Sequence, residues 1–337
     1  MQKPFSSKTM VPPLTRTGFQ AVDCLRKISI IGAGQVGASV AMRVVEKDLA
    51  HEVILVDRIE GLPQGKALDI SESSPVASFH TTVEGTLDYD MISGSAIVVV
   101  ASGFPRTPGM NRSDLIEING KIVRSVCEEI LEYAPNAIVI MVTNPVDAMT
   151  WLAGRILGSK RKRVFGMAGI LDSSRFRYFI AKELNMAPKD IHTMLMGAHG
   201  DEMVPVLRYT NVAGIPLRNL MSSEKIDTLI ERTRKGGAEI VGLLKTSSAF
   251  YAPSAAISVM VEAVARDMHI IRTCSASLHG EYGLEDLCLG VPVKLGRTGI
   301  MKVFELELTD DEMGLIHKAA DHIKRDIEKL KTLGIVE

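Results

Sequence analysis

The sequence predicts an α/β protein in which a doubly wound parallel sheet is followed by an α+β domain. Up to about residue 165, short apolar segments alternate with segments of helical period, the pattern of parallel strands covered by helices on both faces. Beyond that point the alternation loosens into helical stretches and short β-rich runs. A chain of 337 residues also exceeds the usual size of one domain. We therefore predict a leader at residues 1–26, a first domain at 27–168 and a second at 169–337.

Composition argues against several classes of partner. The formal net charge of −1, with 23% charged and 46% hydrophobic residues, creates no long-range field for nucleic acid or a membrane surface. The most apolar segment, residues 137–154, contains Asn144, Pro145 and Asp147, whose polar groups a membrane span would bury in lipid. The four cysteines lack metal-ligand or CxxC spacing and are predicted to be buried thiols in a reducing compartment. We expect no nucleic acid, membrane or metal partner.

The leader leaves the location of the protein open. Residues 1–26 contain four basic side chains, Ser, Thr and Pro, and a single acid, Asp23. A disordered tail and an organellar transit peptide share this composition. We predict a cytoplasmic protein with a disordered basic leader, and a mitochondrial or other organellar location is the alternative.

A glycine-rich turn follows the first predicted strand, at residues 27–31, and opens a helical pattern. Gly32 permits a tight turn, Gly34 lets the backbone approach a pyrophosphate, and Gly37 allows the helix to pack closely on the strand. The motif alone is weak, but a strand before it and a helix after it form a Rossmann-type dinucleotide site. The predicted cofactor-binding residues of this turn are Gly32, Ala33, Gly34, Gln35, Val36 and Gly37.

An acid at the end of the next predicted strand indicates the cofactor. The strand at residues 52–57 ends in Asp57, twenty residues after Gly37. A carboxylate there accepts hydrogen bonds from ribose hydroxyls and repels a 2′-phosphate, so we expect NAD rather than NADP. Arg58 is the one neighbouring residue that favours the opposite choice.

Two loops at the carboxyl ends of predicted strands contain chemically active residues. The segment 102–112 contains Arg106 and Arg112 with no acid between them, and the segment 143–147 contains Asn144. Ligands of doubly wound sheets bind at this edge. The arginines therefore predict an anion site, with a solvated basic loop as the alternative. Asn144 is either a hydrogen-bond donor into the site or part of an ordinary Asn-Pro turn.

The second half of the chain contains the candidate proton-transfer group. His199 lies in the segment 197–205, between small residues that let a ligand come close. Asp172 and Arg175 are three residues apart in a predicted helix and so share a face. Taken alone, His199 is most simply a satisfied core or surface histidine. Asp172 is likewise an ordinary acid at a helix N-terminus, and Arg175 an exposed arginine.

With a bound dinucleotide, these residues describe a 2-hydroxy-acid dehydrogenase. His199 accepts and returns a proton near neutral pH, and Asp172 fixes its tautomer. Arg175 presents a planar fork to a carboxylate, and Arg112 polarises the carbonyl with help from Asn144.

Six motifs in this order resemble the lactate/malate dehydrogenase superfamily, and within it the lactate-dehydrogenase-like malate dehydrogenase branch. They are GAGQVG, the strand ending at Asp57, GFPRTPGMNR, VTNPVD, LDSSRFR and GAHGDEMVP. The resemblance extends from about residue 27 to the predicted C-terminal helix. It departs from the family pattern at Ser102, Phe104 and Ala198, which bear on loop packing and leave the charged groups intact.

The resemblance implies a role for each matching residue. His199 is the proton acceptor, Asp172 its partner, Arg175 the clamp on the first substrate carboxylate and Arg112 the carbonyl-polarising group. The residues implied to line the nicotinamide side or the substrate site are Asn119, Val142, Thr143, Asn144 and Ser248. It further implies a homo-oligomer, a tetramer or a dimer, that acts in the tricarboxylic acid cycle.

Arg106 indicates the substrate. Lactate dehydrogenases of this superfamily typically have a glutamine at the matching position, and malate dehydrogenases have an arginine that pairs with the second carboxylate. An arginine closed over a methyl group is a desolvated charge without a partner. We therefore predict interconversion of (S)-malate and oxaloacetate, with L-lactate dehydrogenase as the alternative.

Two other classes fit less well. The first is an NAD-binding or structural protein that keeps the fold but has lost catalysis, and the joint presence of His199, Asp172 and Arg175 argues against it. An NAD-dependent glycoside hydrolase requires a metal, and the sequence contains no Cys/His constellation for one.

Overall fold

A computed structural model describes residues 25–104, 112–158 and 162–336, with Arg112 and Ser113 described by their backbone alone. Residues 1–24 of the predicted leader, Cys24 and Arg106 lie outside the described residues. The first strand begins at Leu25, earlier than the predicted Lys27, because Leu25 still pairs with Ala50 of the neighbouring strand.

The first half of the chain alternates strands and helices. Its elements are β1 (Leu25–Ile31), α1 (Gln35–Val45), β2 (Ala50–Val56), α2 (Leu62–Ala77), β3 (Thr82–Thr86), β4 (Ile97–Val100), α3 (Arg112–Tyr133), β5 (Ile138–Met141), α4 (Val146–Ile156) and β6 (Val164–Met167). The strands pair in parallel in the order β3-β2-β1-β4-β5-β6. The order reverses between β1 and β4, which opens a crevice at the carboxyl ends of these strands.

The second half mixes helices with antiparallel strands. Its elements are α5 (Gly169–Leu184), β7 (Ile191–His192), β8 (Leu195–Gly197), β9 (Met203–Pro205), β10 (Asn211–Val212), β11 (Ile215–Pro216), α6 (Ser223–Leu244), α7 (Tyr251–Ala265), β12 (Ile270–His279), β13 (Glu285–Gly296), β14 (Gly299–Val303) and α8 (Asp310–Thr332). β12 pairs antiparallel with β6, so these strands extend the parallel sheet instead of forming a separate one. β7, β10 and β11 form a second, small sheet. The predicted α/β class is confirmed.

Burial explains which elements the sequence pattern revealed. Every residue of β4 and β5 is buried, as expected for central parallel strands covered on both faces. α4 was not predicted: residues 146–153 are all buried, so no exposed polar face marks this mostly apolar stretch as a helix rather than a buried strand. β3 was also missed; it is a short strand with exposed Thr82 and Glu84, and it contains Gly85.

Three details of the predicted secondary structure were wrong. The helical pattern of the sequence predicts two helices, near residues 223–234 and 236–244, but α6 runs without interruption from Ser223 to Leu244. The sequence predicts only short strands between His269 and Phe304, but β12 and β13 are long because they pair with each other along most of their length. The apolar spacing in α3 places Ile118 on the predicted core face, but Ile118 is exposed, and the buried face includes Asn119, Val123 and Cys127.

The two helices whose ends were clearest in the sequence have the expected limits. The sequence predicts a long helix from about Arg112 to Tyr133 and a terminal helix begun by a capping-box pattern at residues 309–312, and α3 and α8 agree with both. In the capping box the Thr309 hydroxyl accepts from the Glu312 N–H, and the Glu312 carboxylate accepts from the Thr309 N–H. Reciprocal bonds of this kind satisfy amide groups that a helix start leaves without partners.

The cysteines of the described ranges are buried, and these ranges contain neither a membrane-spanning helix nor a metal-ligand cluster. Cys127, Cys274 and Cys288 are free and buried, as predicted for them. Within residues 25–104, 112–158 and 162–336, no helix is both long and apolar enough to cross a membrane, and no group of three or more His, Cys, Asp or Glu side chains is arranged to hold a metal.

Candidate active site

The glycine turn connects β1 to α1 by close backbone packing. Gly32 has a φ of +103°, and a Cβ there would lie 2.5 Å from the amide nitrogen of Ser102. A Cβ on Gly37 would collide with the carbonyl oxygen of Gly32. Both positions therefore require glycine for packing within the protein itself.

The middle glycine of the turn faces open space. Apart from the residues adjacent in the chain, no heavy atom lies within 4 Å of a Cβ built on Gly34. Gly34 and Gln35 are both exposed. Gly34 is the N-cap of α1, and no side chain of the described residues caps this helix start. The amide groups of the first turn thus face a free surface, which suits an anionic phosphate near the positive end of the helix dipole.

Asp57 joins the glycine turn to the end of β2. Its Oδ2 accepts a hydrogen bond from the Ala33 N–H at 2.7 Å, and its Oδ1 accepts one from the Ile59 N–H at 3.1 Å. The carboxylate is thereby held beside the turn with lone pairs to spare. This placement agrees with a carboxylate that receives ribose hydroxyls.

Asn119 ties two loops of the crevice together. Its Oδ1 accepts from the Phe104 N–H at 2.6 Å, and its Nδ2 donates to the carbonyl oxygens of Phe104 and Asn144, the latter at 2.7 Å. Thr143 donates to the carbonyl oxygen of Ser102 at 2.5 Å. The side chain of Asn119 is buried and bonded to the main chain, so it shapes the loops rather than pointing into open space.

The imidazole of His199 is paired with the carboxylate of Asp172. Nδ1 of His199 lies 2.9 Å from Oδ2 of Asp172, and the two side chains are 14% and 2% exposed. A carboxylate can only accept, so Nδ1 carries the proton and Nε2 is the free base. His199 lies between β8 and β9, and Asp172 in the first turn of α5.

Arg175 lies one turn along α5 on the same face. Its guanidinium is 3.6 Å from Oδ1 of Asp172, and its side chain is 13% exposed. Its Nε is buried and has no hydrogen-bond partner among the described residues. A Cβ on Gly236 of α6 would lie 3.2 Å from Cδ of Arg175, so this glycine makes room for the arginine. No motif in the sequence indicated that role of Gly236.

Burial and charge shift the pKa values of the cluster in opposite directions. Burial lowers the pKa of His199, but the charge and hydrogen bond of Asp172 outweigh it, and the net pKa is raised. Burial lowers the pKa of Arg175 against the opposing effect of Asp172. A buried imidazole with a raised pKa and a buried guanidinium thus lie together beside the carboxylate of Asp172.

Asp147 is a further acid at this cluster that the sequence analysis did not assign. Its Oδ2 accepts a hydrogen bond from the main-chain N–H of His199 at 3.1 Å. The sequence feature that could have indicated this role is a carboxylate inside an otherwise apolar run, just after the Asn-Pro turn.

The remaining predicted site residues are Ser248, Arg112, Val142 and Asn144. Ser248 is exposed between α6 and α7, with no hydrogen bond to His199, Asp172 or Arg175 in the described structure. Arg112 begins α3, but its side chain is not described. Val142 follows β5 and is buried, whereas Asn144 is exposed at the same edge.

A doubly wound sheet with a glycine turn, a ribose-side acid and a buried His–Asp pair defines the class of nicotinamide-dependent α/β dehydrogenases. Residues 26–166 match the model of the lactate/malate dehydrogenase NAD binding domain, and residues 170–333 match that of the lactate/malate dehydrogenase alpha/beta C-terminal domain. The chain belongs to the lactate/malate dehydrogenase family.

Individual relatives cover nearly the whole chain. A protein of Pelodictyon phaeoclathratiforme named malate dehydrogenase is 50% identical over 307 residues, which is 91% of this chain and 99% of that protein. A malate dehydrogenase of Roseiflexus sp. has the same identity and coverage.

Solved structures include both branches of the family. Malate dehydrogenase of Cryptosporidium parvum has a TM-score of 0.89 at 40% identity, covering 91% of this chain and 99% of that one. Lactate dehydrogenase of the same organism, complexed with lactic acid and nicotinamide adenine dinucleotide, has a TM-score of 0.88 at 39% identity, covering 91% and 98%. Overall shape therefore does not distinguish the two activities.

Proposed function

We propose that this chain is an NAD-dependent oxidoreductase that interconverts (S)-malate and oxaloacetate. The observation that carries the proposal is the buried His199–Asp172 pair, 2.9 Å apart, with Arg175 on the same helix face as Asp172. This arrangement supplies a proton acceptor beside a carboxylate receptor, as a 2-hydroxy acid requires. The name malate dehydrogenase on relatives of 50% identity supports the choice of substrate.

His199 handles the proton in either direction. In malate oxidation Nε2 takes the proton of the C2 hydroxyl while the C2 hydrogen leaves as hydride; in oxaloacetate reduction the imidazolium returns the proton to the carbonyl oxygen. Asp172 holds Nδ1–H and stabilises the imidazolium that forms. Because the raised pKa of His199 favours the imidazolium, the protonated enzyme persists to higher pH than a free histidine would.

Arg175 orients the substrate. Its guanidinium is held near Asp172, and a planar fork of donors suits bidentate binding of the carboxylate next to the reacting carbon. We assign the second carboxylate to Arg106 and the polarisation of the carbonyl to Arg112, assisted by Asn144. Ser248 stays a predicted pocket residue.

The turn that follows β1 fits the cofactor. The open space over Gly34 and the uncapped start of α1 suit the pyrophosphate, and the carboxylate of Asp57 suits the adenosine ribose. When bound, NAD supplies the acceptor or donor of the hydride. The proposed contacts at the nicotinamide end are Asn119, Val142, Thr143 and Asn144.

Lactate oxidation is the second candidate, favoured by the similarity to a lactate dehydrogenase structure at a TM-score of 0.88. Purified protein with NADH and either oxaloacetate or pyruvate distinguishes the two by the loss of NADH absorbance. A strong preference for oxaloacetate is expected. Equal or faster use of pyruvate would replace the malate assignment with the lactate one.

The substrate choice depends on Arg106. Removing one partner of a buried charge pair costs about 2–5 kcal/mol, so Arg106→Gln should lower kcat/KM for oxaloacetate by roughly 30-fold to a few thousand-fold. Activity with pyruvate should hold or rise. Arg218→Gln, at an exposed arginine of the second half, is the matched control. Full oxaloacetate turnover by Arg106→Gln would remove Arg106 from this role.

The wider setting of the enzyme is proposed on the same basis. We infer a homo-oligomer, a tetramer or else a dimer, which sedimentation equilibrium measures directly. We place it in the cytoplasm and in the tricarboxylic acid cycle, with a mitochondrial or other organellar location if residues 1–26 act as a transit peptide. The division into a leader, an NAD-binding domain at 27–168 and a catalytic domain at 169–337 stays a prediction that limited proteolysis would test.

A further inference from the structure

Asp147 is a buried acid placed in the first turn of α4. The residue is 5% exposed and lies in a helix whose neighbouring positions are apolar and buried. Its Oδ2 accepts the main-chain N–H of His199 at 3.1 Å, across 52 positions of the chain. Its Oδ1 is buried and makes no hydrogen bond of good geometry among the described residues, although the Ser275 hydroxyl is close enough to lower the pKa of the carboxyl group. A buried carboxylate with one oxygen so weakly satisfied is costly, so its presence calls for an explanation.

Two acids approach His199 from different elements. Asp172 of α5 bonds the imidazole ring, and Asp147 of α4 bonds the main chain of the same residue. Both carboxylates are almost wholly buried. The histidine lies in the short connection between β8 and β9, which has no hydrogen-bonding ladder of its own at that residue. Its main-chain position is therefore set in part by the bond to Asp147.

We propose that Asp147 is a positioning residue for His199, holding the main chain of the histidine and placing a second carboxylate beside Asp172. The proposal rests on the proposed function only in the sense that it assigns His199 the proton transfer. Asp147 touches neither substrate nor cofactor in this assignment. It acts through the histidine.

The electrostatics of the region agree with this role. Burial raises the pKa of Asp147, while the Ser275 hydroxyl of β12 and the His199 N–H lower it, and the charge of Asp172 raises it. Burial and the charge of Arg175 lower the pKa of His199. The charges of Asp172 and Asp147 both raise it. A further titratable neighbour of Asp147 is the buried thiol of Cys288 on β13, whose pKa is raised by burial and by the charge of Asp147.

A purely structural role predicts a different behaviour. An acid that only fixes the loop lowers activity equally at every pH, because the histidine keeps its electrostatic surroundings. An acid that also bears charge beside His199 shifts the pH at which the histidine titrates. The two roles are separated by measuring that titration directly.

The test compares Asp147→Asn with Thr150→Val in the full-length protein. Asparagine keeps the size of the side chain and an acceptor for the His199 N–H but removes the charge. Thr150 is buried one turn further along α4 and donates only to the Val146 carbonyl oxygen, so Thr150→Val controls for disturbance of this helix. Thermal unfolding checks that both variants fold.

The readout is the rate at which diethyl pyrocarbonate modifies His199 as a function of pH, followed by peptide mass spectrometry without substrate or cofactor. Only the unprotonated imidazole reacts, so the midpoint reports the pKa of His199. The exposed His80 serves as an internal reference in each sample. Because no turnover is needed, this result is independent of whether the substrate is malate.

We expect the midpoint of Asp147→Asn to move to lower pH and that of Thr150→Val to stay. The pH at which oxaloacetate reduction declines on the alkaline side should fall together with this midpoint. Above the lowered midpoint, kcat of Asp147→Asn should be about 10-fold lower than that of the parent protein. Ser275→Ala should give a smaller shift in the same direction, because it raises the pKa of Asp147 and so reduces its ionised fraction.

An unchanged midpoint in both Asp147→Asn and Ser275→Ala, with kcat reduced equally at every pH, would overturn the proposal. If Asp147→Asn fails to fold, Ser275→Ala alone decides between the two outcomes. A shifted midpoint in a protein that does not reduce oxaloacetate would support the positioning role and refute the proposed function instead.

Discussion

The glycine turn at residues 32–37 and the cluster around His199 depend on different physical features. The turn is one continuous segment, and its shape depends on atoms that are absent: a Cβ at Gly32 or Gly37 meets main-chain atoms at once. The cluster gathers side chains from α4, α5 and the β8–β9 connection, and it depends on charges that are present and buried. The turn should therefore respond to added volume, and the cluster to lost charge.

The largest expected effect is on the cluster. His199→Asn removes the proton acceptor while keeping a polar side chain, so kcat should fall by about 100- to 10,000-fold, the usual share of general acid–base catalysis. NADH affinity, measured by fluorescence titration, should stay the same because the proposed pyrophosphate and ribose contacts, at the glycine turn and Asp57, are unchanged. His80→Asn, at a surface histidine paired with Asp48, should leave kcat unchanged. Near-normal turnover in His199→Asn would remove the histidine from the mechanism.

The turn should show the next largest effect, in stability. Gly37→Ala forces a methyl group against the carbonyl oxygen of Gly32 and should lower the free energy of unfolding by about 1–3 kcal/mol. Gly34→Ala has open space for its methyl group, so its unfolding should match the parent protein while NADH binding weakens. Thermal unfolding and NADH titration of both variants check the contrast. Equal stability of the two would contradict the packing argument.

A smaller effect is expected from the acid beside the turn. Asp57→Asn keeps the shape but loses the charge that attracts ribose hydroxyls and repels a 2′-phosphate. Its preference for NADH over NADPH, taken as a ratio of kcat/KM, should fall by about 10-fold or more. Glu60→Gln makes the same charge change at an exposed neighbouring acid and should not alter the ratio. An unaltered ratio in Asp57→Asn would assign the discrimination to another residue.

The smallest effect is the pH dependence of stability. His199 has a raised pKa in the folded protein, so its protonated form adds stability that is fully present below about pH 6.5 and is lost as pH rises through the folded pKa. Each unit of difference is worth about 1.4 kcal/mol. Asp172→Asn removes the charge that raises this pKa, and the decline should largely vanish. Urea unfolding from about pH 6 to about pH 9 tests this, and an unchanged slope would show that the pair is not coupled.

The elements that the sequence predicts well are those marked by neighbouring residues. β1 and α1 flank the glycine turn, α3 has a regular apolar spacing, and α8 begins with a capping box. α4 was missed because residues 146–153 are all buried, and a short, mostly apolar run of this kind is compatible with a buried strand as well as with a helix. On α3, Asn119 is buried and Ile118 is exposed, and the Asn119 amide bonds two loop segments at once. Contacts with these distant loops, and not the spacing of residues along α3, make Asn119 part of the buried face.

Local order along the chain was sufficient for the dinucleotide turn, its acid at Asp57 and the pairing of Asp172 with Arg175, since each depends on short-range spacing within a strand, turn or helix. The joining of β12 to β6, which makes one sheet of both halves, depends on pairing between distant segments. So do the seat of Arg175 against Gly236 and the approach of Asp147 to the main chain of His199. Burial and distance between remote residues create these contacts, and neither is a property of any short segment.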